Sequence, residues 1–212
     1  MVHLHCAERG SSPIRPTNDV DAVLDVRAEP QVLRAFTGHL AALGFEPDGQ
    51  SWEGHQHRWV REGAVIDVLI PRDVGPTAAA RVGVRGGTVP ETPGAQQALE
   101  RTESVEVRLG DQVGSVLRPT LLGALVIKAA AYTLVGDPAR ERHLEDFVVL
   151  STLIRPDDRV ERAGARDREH LGNALGVLHG DPRTALGIEN GQEGLARLRL
   201  ILRPARPEVR QD

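Results

Sequence analysis

The stretch Arg15-Pro-Thr-Asn-Asp19-Val-Asp21-Ala-Val-Leu24, set beside Val65-Ile-Asp67-Val68 further along, decides how this chain is read. From residue 18 to 26, Val20, Ala22, Leu24 and Val26 alternate with Asp19, Asp21 and Asp25. That period of two predicts a strand with one apolar and one acidic face. Asp19 and Asp21 leave it on the same side, where two carboxylates can share metal ions. Taken alone, the pair fits an ordinary solvent-facing strand edge equally well. Asp67 shifts the balance. It interrupts the apolar run Val65, Ile66, Val68, Leu69, Ile70, where a buried charge is costly unless it is paired or metal-bound. A neighbouring strand carrying Asp19 and Asp21 would supply the reason for it. Three carboxylates so placed suit magnesium or manganese, and ions held there serve phosphoryl or nucleotidyl transfer.

Outward from these strands the chain divides near residue 118. The first nine residues read as the tail of a helix ended at Gly10, followed by a turn-rich loop from Ser11 to Pro16. Gln31 to Leu43 carries Val32, Leu33, Phe36, Leu40 and Leu43 at helical spacing, with Gly44 as its stop. Gln56–Glu62 and Ala64–Ile70 form a predicted hairpin around Gly63, ended by Pro71. Residues 73–94 are loop-rich, with a short strand expected at Arg81–Arg85. Ser104–Leu109 and Gln112–Leu117 form a second hairpin around Gly110-Asp111. After Pro119 the pattern turns helical. Leu121 to Val135 is a core helix, and Asp137-Pro138 caps another that runs to about Ile154. Residues 166–178 and 189–202 are amphipathic helices, and the tail after Pro204 is expected to fray. The expected fold class is α+β: a mixed sheet with flanking helices over residues 1–118, followed by a C-terminal helical bundle over 119–212 that completes the active site.

The single lysine, Lys128, lies halfway along the core helix among Leu125, Val126, Ile127, Ala129, Ala130 and Ala131. An average lysine there would snorkel to the surface along its stem. So little polar face remains that an anion is the better explanation, and a triphosphate beside the metal site is the natural one. On the next helix Asp146 can orient Lys128 as an ion pair, or belong to a solvated face. Arg15 and Thr17 can bring a guanidinium and a hydroxyl to phosphate, although Thr17 serves a turn equally well. His55 and His57 alternate on a strand without a third ligand and are read as surface residues.

Composition narrows the classes. Of 212 residues, 40% are hydrophobic and 26% charged, which excludes a disordered or fibrous chain. The net charge of -4 and the 3% of aromatics give no global pull toward nucleic acid and few stacking platforms. Arg-bearing surfaces near 155–168 or 197–210 could hold RNA locally, though such runs are usually just solvated. Cys6 stands alone, so no disulfide framework exists, and it reads as a small buried side chain. The N-terminus lacks the plan of a signal peptide, and the longest apolar stretch is too short to span a bilayer. A cytoplasmic location with no membrane partner is expected.

The run Arg15-Pro-Thr-Asn-Asp-Val-Asp21 followed by Val65-Ile-Asp-Val68 resembles the polymerase-beta-like nucleotidyltransferase pattern. Pro119 through Leu121-Leu-Gly-Ala-Leu-Val-Ile-Lys128, then Arg142-His-Leu-Glu-Asp146-Phe-Val-Val-Leu150, is similar to the AbiEii and MenT type of toxin nucleotidyltransferase. The resemblance spans about residues 10 to 155. It implies Asp19 and Asp21 as metal ligands and Asp67 as third ligand and base. It further implies Lys128 as a triphosphate contact, with Asp146 as its partner. Toxins of this type add nucleotides to the acceptor end of transfer RNA and are neutralised by an antitoxin protein, so those partners are implied with it. The family also opens with a strand and a Gly-Gly or Gly-Ser turn ahead of its first helix. Here Gly10-Ser11 follows the helix, so that first strand and glycine turn are expected to be missing. Three alternatives stay open beside transfer to RNA: transfer to a small molecule, a non-catalytic binding protein with the same fold, and a metal-dependent nuclease.

Overall fold

The computed structural model describes residues 1–134, 136–137, 140–156, 158 and 163–203. The chain opens with helix α1 (Val2–Arg9), which Gly10 ends in the left-handed conformation at φ 68°. Then come β1 (Asp19–Val23), α2 (Val32–Ala42), β2 (Glu46–Pro47), β3 (Arg58–Arg61) and β4 (Ala64–Pro71). A connecting region follows, with α3 (Pro76–Ala79), β5 (Glu91–Thr92) and α4 (Ala95–Glu100). The hairpin β6 (Thr102–Leu109) and β7 (Gln112–Pro119) leads to α5 (Leu121–Ala131), α6 (Glu141–Thr152), α7 (Ala165–Gly180), α8 (Arg183–Leu186) and α9 (Gly191–Ile201).

The main sheet is mixed, in the order β1-β4-β3-β2, with β5 joined to the end of β4. Helix α2 begins the crossover that lets β1 run parallel to β4, since parallel neighbours cannot be joined by a tight turn. Strands β3 and β4 are antiparallel about Glu62-Gly63, whose φ values of 50° and 84° are those of a primed two-residue turn. That turn fixes the register, and the register decides which side chains meet at the site. Hairpin β6–β7 forms a separate two-stranded sheet.

Two cores hold the molecule. Leu24, Val26, Leu33, Leu40, Trp59, Val68 and Ile70 pack sheet against α2. Leu122, Leu125, Phe147, Leu150, Leu171 and Leu198 fill the helical core, which Val2 and Cys6 of α1 also enter. The buried pair Arg101–Asp167, at 2.6 Å, ties the end of α4 to α7.

Several expectations need correction. Arg81–Arg85 is not a strand: no neighbouring strand lies beside it, and Val82 and Val84 are exposed. Val20 is 61% exposed, because β1 is an edge strand and the core begins beneath Leu24 rather than Val20. The core helix ends at Ala131 rather than Val135. The next helix starts at Glu141 behind Arg140, not at Asp137, whose carboxylate instead meets His143 Nε2 at 2.9 Å. Pro138, part of the expected cap, the tail after Pro204 and part of both Arg-bearing stretches lie outside the described residues.

Candidate active site

Backbone pairing assembles the acidic face. In the parallel register of β1 and β4, Asp21 is the partner of Asp67, and Asp19 stands two residues earlier opposite Val65. Side chains repeat every second residue along a strand, so all three carboxylates project from one side of the sheet. Asp19 accepts a hydrogen bond from the Thr17 hydroxyl. Asp21 receives no hydrogen bond and has no ion-pair partner among the described residues.

Asp67 is held firmly. Arg58 lies opposite it in the β3–β4 register and donates from Nε to Oδ1 at 2.9 Å and from Nη2 to Oδ2 at 2.7 Å. This is the fork geometry in which guanidinium and carboxylate bind most strongly. The Asp67 side chain is 12% exposed and that of Arg58 46%, so the acid is embedded while its partner reaches in from solvent.

The helical half supplies the opposing charge. Thr120 caps α5 by accepting from the Gly123 amide, and Lys128 follows two turns later on that helix. Lys128 Nζ sits 2.8 Å from Asp146 Oδ2 on α6. The other oxygen of Asp146 accepts from Arg15 Nη2 at 2.6 Å, and Arg15 Nη1 reaches Glu145 at 2.8 Å. Arg15 therefore braces α6 with the guanidinium that the sequence reading assigned to phosphate.

The charges are felt across the site. Desolvation raises the Asp21 carboxyl above its ordinary range; Lys128 opposes that shift, and Asp67 and Asp19 add to it. The Thr17 hydrogen bond holds Asp19 below the usual carboxylate range, with smaller pulls from Arg58 and Lys128. Hydrogen bonding to Asp67 raises the Arg58 guanidinium further above its already high value. Desolvation lowers His143, on α6 beside Asp146, and the positive charge of Lys128 lowers it further.

The donor set suits a divalent cation. Three carboxylates share one face, and Asp21 has no competing partner among the described residues. As the side chains stand, no group of three His, Cys, Asp or Glu among the described residues converges on one point. Asp67 is turned into Arg58 and Asp19 into Thr17. Closure on an ion would need those two contacts exchanged. His57 lies beside this face, and desolvation lowers it, while His55 bonds Thr88 instead.

Asp19, Asp21 and Asp67 thus share one face, and of the two alternatives open for Asp146, the ion pair with Lys128 and a solvated face, the ion pair is present. Arg58 stands outside the residues expected at the site. Counting back across the two-residue turn at Glu62-Gly63 pairs residue 61 with 64 and therefore 58 with 67, so the signal was there.

No protein-family model matches the chain, and the curated proteins give no match. Among solved structures it is similar to an antigenic nucleotidyltransferase-like protein from Paracoccidioides brasiliensis. That likeness has 16% identity and a TM-score of 0.48, over 91% of this chain and 80% of the other. No helix among the described residues is long and apolar enough to cross a membrane.

Proposed function

We propose that this chain is a metal-dependent nucleotidyltransferase that moves a nucleoside monophosphate from a nucleoside triphosphate to an acceptor hydroxyl. The carrying observation is the parallel register that puts Asp21 beside Asp67, with Asp19 on the same face. In this reading Asp19, Asp21 and Asp67 hold magnesium or manganese. A cation held by these carboxylates would supply neutralising charge for the triphosphate and the departing pyrophosphate. Lys128, whose charge acts on Asp21 and which Asp146 orients, binds phosphate oxygens. Asp67 accepts the proton of the attacking hydroxyl as the new oxygen–phosphorus bond forms and the bond to pyrophosphate breaks.

Transfer RNA is the proposed acceptor, and a toxin neutralised by an antitoxin protein the proposed setting. Both rest on the resemblance of the Lys128 and Asp146 helices to toxin nucleotidyltransferases. The test incubates purified protein with magnesium, each labelled nucleoside triphosphate and total transfer RNA, beside the double variant Asp19→Ala, Asp21→Ala. Incorporation that disappears in the double variant is the expected result. Label transfer that persists overturns the assignment of these residues, and released RNA fragments without incorporation would mark a nuclease.

A second reading is a protein that keeps this fold and acts by binding alone. The Arg58 fork favours it, since it neutralises the third carboxylate with an internal cation. Intact folding with no transfer to any acceptor, RNA or small molecule, would select it.

A further inference from the structure

Arg58 has no role in the transfer scheme above, yet it grips a carboxylate of the site with two hydrogen bonds. Its bidentate pair spends both oxygens of Asp67, at 2.9 and 2.7 Å. Asp67 is embedded, so its charge needs a partner at all times. Held in the fork, Asp67 does not converge with Asp19 and Asp21, so a cation drawing on all three acids needs the fork opened. Arg58 is half-exposed and sits on a short strand ahead of a tight turn, so its side chain can leave toward solvent while the backbone register stays fixed. Asp21, by contrast, has no partner among the described residues to lose.

We propose that Arg58 is an internal competitor for the divalent cation, a positioning residue that holds Asp67 until a cation binds and must be displaced before Asp67 can join Asp19 and Asp21. The inference rests on the proposed metal-dependent transfer. It predicts that the cation's intrinsic affinity for the three acids is partly spent on breaking the fork. Removing the fork without removing the acid should then strengthen cation binding, the opposite of what loss of a merely structural contact would do.

The test is manganese binding to the full chain without nucleotide, followed by the loss of the free-ion spin-resonance signal. Wild type, Arg58→Gln, Arg58→Lys and the double variant Asp19→Ala, Asp21→Ala are compared. Hydrogen bonds to a charged group are strong enough that Arg58→Gln should bind manganese about tenfold more tightly. Arg58→Lys should fall between it and wild type, because an ammonium cannot make the fork. Should Arg58→Gln fail to fold, Arg58→Lys decides alone. Equal or weaker binding by a folded Arg58 variant overturns the competition and leaves the transferase reading standing, provided wild type binds and the double aspartate variant does not. No binding by any protein overturns both.

Discussion

Asp21 and Asp67 are register partners on adjacent parallel strands, so backbone hydrogen bonding alone sets two negative charges side by side. Desolvation raises the Asp21 carboxyl above its ordinary range; Lys128 opposes this, and the Asp67 and Asp19 charges add to it. A carboxyl raised in the folded state destabilises the fold at pH values above its folded pKa, and the penalty fades as pH falls through it. Asp21 is exposed on its strand, so solvent screens much of this penalty, and Asp21→Asn should raise the Tm only slightly at neutral pH while abolishing transfer. Repeating the melts toward pH 4 should shrink the gain; a variant less stable than wild type at pH 7 would contradict the crowding.

Lys128 pairs with Asp146, and its charge also acts on Asp21; Asp146 keeps Arg15 as a partner if Lys128 is removed. Lys128→Ala is expected to fold and to lower nucleotide transfer about 10²-fold. Rates of label incorporation across nucleotide concentrations measure this, and an unchanged rate would remove Lys128 from the mechanism.

His5 gives the fold an acid-sensitive point. It is 2% exposed, its Nε2 lies 3.0 Å from the Pro119 carbonyl, and burial followed by the charge of Arg118 lowers it to about 4. Since the folded value lies below the unfolded one, the contribution is complete above about pH 6.5 and drains away as pH drops toward 4. Between pH 7 and pH 5 it should amount to about 2 kcal/mol. Urea unfolding at the two pH values checks this, and His5→Gln should flatten the difference.

Helices α6 and α9 meet at Gly194. A Cβ there would lie 2.6 Å from the Thr152 amide nitrogen and 2.7 Å from the Ser151 carbonyl carbon, both backbone atoms that cannot swing aside. Gly194→Ala should cost about 1–3 kcal/mol through forced separation of the helices. Thermal melting reads it, and an unaltered Tm would show that the crossing has slack.

What could be read without coordinates was what local periodicity encodes. Both hairpins, α2, and the placing of Asp19 and Asp21 on one face follow from period-two or helical spacing around Gly44, Gly63 and Gly110. The loop-rich stretch hid more. Helix α4 begins at Gly94, at φ 76° and without a capping side chain, so no start signal announces it. Val82 and Val84 alternate like a strand, yet no other strand pairs with them. Arg15 offered a phosphate contact on paper, but its reach to Glu145 and Asp146 depends on how α6 lies against the opening loop, a tertiary fact that no local pattern carries.

The parallel pairing of β1 with β4 has a consequence for how the protein comes into being. Its acids arrive on segments far apart along the chain, and the lysine that faces them comes later still. Contacts between such distant segments form late, after the local hairpins and helices. Asp19 and Asp21 therefore come to share a face with Asp67 only once this non-local pairing has formed.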